Sequence, residues 1–267
     1  MLGQELQARP LALGLVLVVG DELLAHLRRT DRDVVGGRLH RANVSVCSVG
    51  PMRVTIFGGH GKIALLLAPM LVEAGHEVTS VVRNPGHVED IEATGATALV
   101  SSVEEADADT LVAQLTGQDA VVWSAGAGGG DPDRTVAVDR DAAIRTMDAA
   151  AAAGARRYVM VSFSGSDPDV LVPEDNPFRV YQDAKIAADD HLRGSDLDWT
   201  VLGPGTLTLE PGSGSVNPRA AFNDGDVTSR ELVAQVALAV LADERAHGRT
   251  LVFGDGDVPI DDWLASL

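Results

Sequence analysis

A chain of 267 residues is long enough to bury the core of one large α/β domain. Its formal charge of -18 sets up a field that repels polyanions over most of the surface, which speaks against nucleic-acid and anionic-membrane partners and leaves a small-molecule substrate as the expected partner, with a monomer or homodimer as the assembly. One cysteine, Cys47, excludes an intramolecular disulfide framework, and no His/Cys/acid cluster has metal-ligand spacing, so no metal is expected.

Residues 1–51 hold six arginines against five acidic residues, whereas 52–267 hold 15 basic and 34 acidic ones, so the two parts look unrelated. The run Leu11–Val19 is about half of a bilayer span. It lacks the positively charged start of a secretory signal, so a cytoplasmic protein is expected and the sequon at Asn43 is read as chance. Residues 1–51 show no sustained period of 2 or 3.6. They are expected to be a poorly ordered extension, or upstream sequence translated from an early start codon with Met52 as the natural start. The alternative is an extra strand and helix on the domain edge. N-terminal sequencing of the native protein separates these.

From Met52 onward, strands are expected at 53–57, 77–82, 97–100, 120–124, 158–162, 199–203 and 250–254. Helical patterns fall near 62–75, 87–93, 108–116, 134–153, 177–193 and 228–242. This alternation reads as βαβ units with right-handed crossovers, hence a doubly wound parallel sheet of Rossmann-like α/β fold forming a single domain over 52–267.

The first strand runs into Gly58-Gly59-His60-Gly61-Lys62-Ile63-Ala64. A glycine at the strand end permits a tight turn, Gly61 lets a pyrophosphate approach the backbone, and Ala64 lets the helix sit close to the sheet. The helix start offers free N–H groups to phosphates. A Walker-type ATP loop is excluded because Ile63 stands where its Ser or Thr should be. The second strand ends Arg83-Asn84 with no carboxylate to accept from an adenosine ribose, and an arginine there can pair with a 2′-phosphate. NADP is therefore expected ahead of NAD.

Tyr181-x-x-x-Lys185 puts a phenol and an ammonium on one helix face. Lys185 is expected to lower the pKa of Tyr181 and to bond the nicotinamide ribose, and Ser162, ending the fifth strand, to hold a substrate carbonyl. The acidic pairs Glu104-Glu105, Asp189-Asp190 and Asp261-Asp262 read as solvated charge. His60 reads as a tolerated loop side chain despite its place in the cofactor loop, and His191 as surface or core.

The segments IFGGHGKIA, VVRNP, DAVVWSAGAG, VDRDAA, RRYVMVSFSG, YQDAK and SDLDWTVLGPGTLT resemble the atypical short-chain dehydrogenase/reductases with an NAD(P)H-binding Rossmann domain, close to the sugar-epimerase-like and flavin-reductase-like groups. That resemblance implies that Ser124, Ala125 and Gly126 line the adenosine side and that Pro204 and Gly205 border the nicotinamide. The aspartate usual after the third strand is replaced by Ser101 and Ser102, and the arginine usual before Pro-Gly by Gly203. The expected function is an NADPH-dependent reductase of a small carbonyl, quinone or flavin-like acceptor. The alternatives are a non-catalytic NADP(H) sensor and a sugar-epimerase-like enzyme that retains its cofactor.

Overall fold

Every side chain of the first strand, β1 (Arg53–Phe57), is buried after Arg53. Branched and apolar residues on both faces suit a strand covered on both sides. In the computed structural model, which describes residues 50–129, 131–222 and 225–267, β1 lies inside a nine-stranded sheet. β2 (Glu77–Val82) and β3 (Thr97–Val100) extend the sheet on one side. β4 (Ala120–Trp123), β5 (Arg157–Val161), β6 (Asp198–Pro204) and β10 (Arg249–Asp255) extend it on the other, and all seven run parallel.

The expected strands are all present, within a residue or so at their ends. Sequence reasoning missed the edge. β8 (Ser215–Asn217) and β11 (Val258–Pro259) add antiparallel strands beyond β10, and β7 (Thr206–Thr208) pairs with β9 (Val227–Ser229) in a separate ribbon. These pieces are two or three residues long, too short to show any alternation of their own.

Helices cover both faces. α1 (Ala64–Glu73), α2 (Val88–Glu92), α7 (Arg230–Leu241) and α8 (Ile260–Ala265) pack Leu67, Ile91, Val233 and Trp263 with Val54 and Ile56 of β1. α3 (Ala108–Leu115), α5 (Ala143–Ala153) and α6 (Arg179–Arg193) pack Leu111, Met147 and Leu192 with Phe57 on the opposite face. The period-2 alternation of β1 thus feeds two cores at once. Each such aliphatic side chain contributes about 1.5–3 kcal/mol by leaving water.

Between α3 and α5 the expected helix 134–153 is interrupted. A short turn, α4 (Pro132–Thr135), capped by Asp131, passes into a π-helical stretch, Val136–Ala142, before α5 begins. Wide i→i+5 turns of this kind recur at functional sites. This one carries Asp139 inward, where its carboxylate accepts from the Ala127 N–H at 3.0 Å.

Strand order reverses between β1 and β4, and ligands in such sheets bind beyond the carboxyl ends of the strands at that point. Among the described residues no helix is long and apolar enough to cross a membrane. The expectations for residues 1–49, including Leu11–Val19, the sequon and Cys47, lie outside the described residues.

Candidate active site

Three adjoining cavities run along the carboxyl ends of the parallel strands. The first, about 300 Å³, is bounded by Gly58, His60, Gly61, Arg83, Asn84 and Ser101. It shares Ser124, Ala125 and Gly126 with the second, about 840 Å³, which reaches Ile63, Asp139, Ser162, Tyr181 and Lys185. The second shares Ser162, Phe178, Tyr181 and Leu207 with a third, about 680 Å³, bordered by Pro204 and Gly205. The structure therefore brings most of the expected site residues to one continuous edge. Gly59 and Lys62 line none of the three.

Gly58 turns the chain out of β1 with φ +79°, and a Cβ there would lie 2.6 Å from Ala125 Cα. Only glycine adopts that φ at no steric cost, and only glycine admits the neighbouring loop so closely. Gly59 is constrained by packing instead. Its N–H donates to Val81 O at 2.9 Å, and a Cβ would meet Ser80 at 2.6 Å. At Gly61 a Cβ would stand 3.0 Å from Gly58 O, so the loop keeps its backbone bare. α1 begins with no side-chain cap, and the Lys62, Ile63 and Ala64 N–H groups find no acceptor among the described residues. An uncapped helix start beneath a bare glycine loop fits the pyrophosphate of a dinucleotide.

At the adenosine end one expectation changes. β2 does end without a carboxylate, but tertiary folding supplies one from the far side of β3. Glu104 Oε1 accepts from Arg83 Nη1 at 2.8 Å and from Arg134 Nη2 at 3.0 Å. Glu104 is thus a clamp between two arginines rather than the solvated charge expected of it, and Arg83 is not free. Two guanidinium groups against one carboxylate still leave the rim cationic. His60 is also more than a tolerated loop residue. Its ring stacks on His87 with centroids 3.6 Å apart, and its Nε2 lies 2.9 Å from Asp90 Oδ2.

In the middle cavity, Lys185 is almost fully buried. Its Nζ donates to Val161 O at 3.1 Å and lies 3.3 Å from Met160 Sδ. Two buried carboxylates, Asp139 and Asp189, feel its charge. Burial pushes the pKa of each up, and Lys185 opposes the shift. Asp189 corrects the expectation for the Asp189-Asp190 pair. Asp190 is exposed and paired with Arg193, whereas Asp189 is fully buried and accepts from Ser162 Oγ and Ser166 Oγ, each at 2.5 Å.

That bond revises the role expected of Ser162. With its proton directed to Asp189, the hydroxyl presents lone pairs to the cavity, so it is placed to accept from a ligand hydroxyl and not to donate to a carbonyl.

Tyr181 requires a second correction. The structure contradicts a Lys185-lowered pKa: burial pushes the phenol upward, and the charges of Asp139 and Asp189 push it further in the same direction. Tyr181 is therefore a protonated phenol throughout the physiological range, suited to giving a proton and poorly suited to taking one at rest.

His191 pairs with Asp148 at the surface, one of the two placements expected for it. Asp139, Glu104, Arg134 and His87 were not expected as site residues. Their one sequence signal was Asp139 in VDRDAA, on a helix following a glycine-rich loop.

A family model for NAD(P)H-binding proteins matches residues 58–244. The chain belongs to this NAD(P)H-binding family. Among its relatives, a UPF0659 protein of Schizosaccharomyces pombe is 37% identical over 232 residues, covering 79% of this chain and 93% of its own. The uncharacterized sugar epimerase YhfK of Bacillus subtilis is 32% identical over 218 residues, covering 81% of this chain and 100% of its own. Among solved structures, a Bacillus halodurans protein whose name places it with the NAD-dependent epimerase/dehydratases superposes with a TM-score of 0.73 at 34% identity, over 81% of this chain and 100% of its own. A short-chain dehydrogenase/reductase of Veillonella parvula in complex with NADP shares the fold at 23% identity, with a TM-score of 0.60, over 78% of this chain and 98% of its own. The family's relatives and structural neighbours thus carry epimerase, dehydratase and reductase names around one NAD(P)-binding Rossmann fold.

Proposed function

We propose that this protein is a cytoplasmic NADPH-dependent reductase of a small carbonyl, quinone or flavin-like acceptor. The observation that carries the reading is the place of Tyr181, a phenol held protonated where the cofactor-side and outer cavities meet, with Ser162 beside it. Bound NADPH would supply the hydride. The loop Gly58–Ala64 would hold the pyrophosphate on bare N–H groups, Arg83 the 2′-phosphate, and Ser101 the adenine edge.

Tyr181 gives its proton to the acceptor oxygen as negative charge develops there. A phenol needs no deprotonation for that direction, so its raised pKa is no obstacle. Ser162, fixed by Asp189, accepts from the hydroxyl that results. Lys185 keeps Asp139 and Asp189 compensated, and its position beside Val161 O leaves it in reach of a ribose bound in the middle cavity. Asp139 holds the Ala127 N–H, setting the wall that the cofactor passes.

Calorimetry with NADPH and NADH, followed by a screen of carbonyls, quinones and flavins for NADPH oxidation, tests the reading. Failure to bind either nucleotide would refute the cofactor. NADH preference surviving Arg83→Ala would refute the phosphate assignment. The names of the relatives at 32% and 34% identity favour a second reading, an epimerase. Such an enzyme would turn over substrate with no net change in absorbance at the NADPH wavelength.

A further inference from the structure

Aromatic residues are scarce in this chain: five Phe, two Tyr and three Trp in 267 residues. Phe57, Phe253, Trp123 and Tyr158 are fully buried in the cores. Phe163, Phe178, Phe222 and Tyr181 instead line the third cavity together. Phe163 is the hub, with ring centroids 5.5 Å from Phe178, 5.3 Å from Tyr181 and 5.8 Å from Phe222. The cluster is built rather than incidental. A Cβ on Gly165 would come within 2.5 Å of Phe222 and 2.6 Å of Phe163, so that position must stay bare for the rings to meet. None of the three phenylalanines belongs to the buried core, and Phe178 is 38% exposed, so core packing does not explain them.

Arg230 lines the same cavity. As the first residue of α7 it stands at the positive end of the helix dipole, where a cation is disfavoured. Its Nη1 donates to Thr208 O at 2.8 Å, and it forms no ion pair among the described residues. The neighbouring carboxylates bond neutral donors and not Arg230. Glu231 Oε2 accepts from Gly212 N, while Asp226 accepts from Asn217 Nδ2 and Ala221 N. A guanidinium that makes no ion pair, beside an open aromatic wall, keeps donors for an anionic partner, although Asp226 on the same cavity wall limits the anion to a single acidic group.

We propose that the third cavity binds the acceptor and selects a planar aromatic ring system bearing one acidic group, with the ring lying among Phe163, Phe178 and Phe222 and the acid on Arg230. This deepens the reductase reading and rests on it. The ring would be placed against Tyr181, from which the proton comes.

The test is equilibrium binding of three probes to the full chain, with NADPH titrated separately. The probes are 2-naphthoate, its neutral analogue 2-naphthamide, and decalin-2-carboxylate, which keeps size and charge but loses planarity. A charge-assisted bond is roughly twice as strong as a neutral one, so 2-naphthoate should bind about tenfold tighter than the amide. It should also bind more tightly than the decalin acid. Arg230→Gln should erase the acid-over-amide preference, Arg230→Lys should retain part of it, and Phe222→Leu should erase the preference for the flat ring. Equal binding of all three probes, or an acid preference that survives Arg230→Gln, overturns the proposal. If Arg230→Gln does not fold, the wild-type ranking of the three probes decides alone. Naphthoate selectivity without NADPH binding would sink the reductase reading and leave this cavity assignment standing, and the converse result would do the opposite.

Discussion

Tyr181→Phe isolates the chemistry from the fold better than any other single change. The Tyr181 hydroxyl makes no hydrogen bond to the described residues, and its ring rests on Phe163 and Phe178 at 5.3 and 5.2 Å. Removing the oxygen therefore leaves no orphaned partner and keeps every ring contact. Stability should stay within about 0.5 kcal/mol of wild type, the ordinary range for a change that touches no special feature. A positioned general acid contributes about 10²- to 10⁴-fold in rate, or roughly 3–5.5 kcal/mol of barrier. The stability and rate effects should thus differ by several kcal/mol. Single-turnover reduction of an acceptor found by screening, alongside thermal melts and NADPH calorimetry, gives all three quantities. The wild-type reduction rate should also show no loss attributable to Tyr181 up to about pH 9, because burial and the two aspartates raise its pKa above the ordinary value near 10. Turnover unchanged in Tyr181→Phe would refute the reasoning, since the proton would then come from water or another group. A large drop in melting temperature would refute it differently, by showing that the hydroxyl is a structural bond.

The remaining predictions concern charge. Glu104→Gln should tighten NADPH relative to NADH, since it removes the anion that Arg83 and Arg134 now share, and competitive titration of the two nucleotides reads this directly. Asp189 has a folded pKa raised above the unfolded value of about 3.8, so its favourable contribution is fully present below that pH and is lost as pH rises through the folded value. Urea melts from about pH 4 to about pH 8 should therefore show Asp189→Asn gaining stability relative to wild type as pH rises; a flat difference would contradict the burial of that charge. Lys185→Met should destabilise the fold by leaving the buried carboxylates Asp139 and Asp189 without the positive charge that opposes their upward pKa shifts, so its melting temperature should fall along with its activity. A Lys185→Met protein as stable as wild type would place the compensating charge elsewhere.

Local chemistry alone determined much of this protein. The branched runs at 53–57 and 77–82 appear as expected, as strands buried on both faces, and 97–100 appears as a partly exposed strand at the sheet edge. Gly58 permits the φ of +79° that the turn takes, so a tight strand-to-helix turn was legible from one short segment. The Tyr181–Lys185 spacing likewise guaranteed a shared helix face.

Tertiary structure decided what each face meets. Asp189 and Asp190 differ by about 100° around α6, so the chain dictates only that they diverge. Packing against β5 buried Asp189 under Ser162 while Asp190 reached water and Arg193. The same packing buried Tyr181 near two carboxylates far apart in sequence, Asp139 and Asp189, and burial first and their charges second raise its pKa where Lys185 was expected to lower it. Glu104 met Arg83 across β3, and Phe222 met Phe163 across a 59-residue separation. Periodicity records a residue's own helix or strand. Charge compensation and cavity walls depend on distances between elements, and those are set only when the sheet and its two helical layers close.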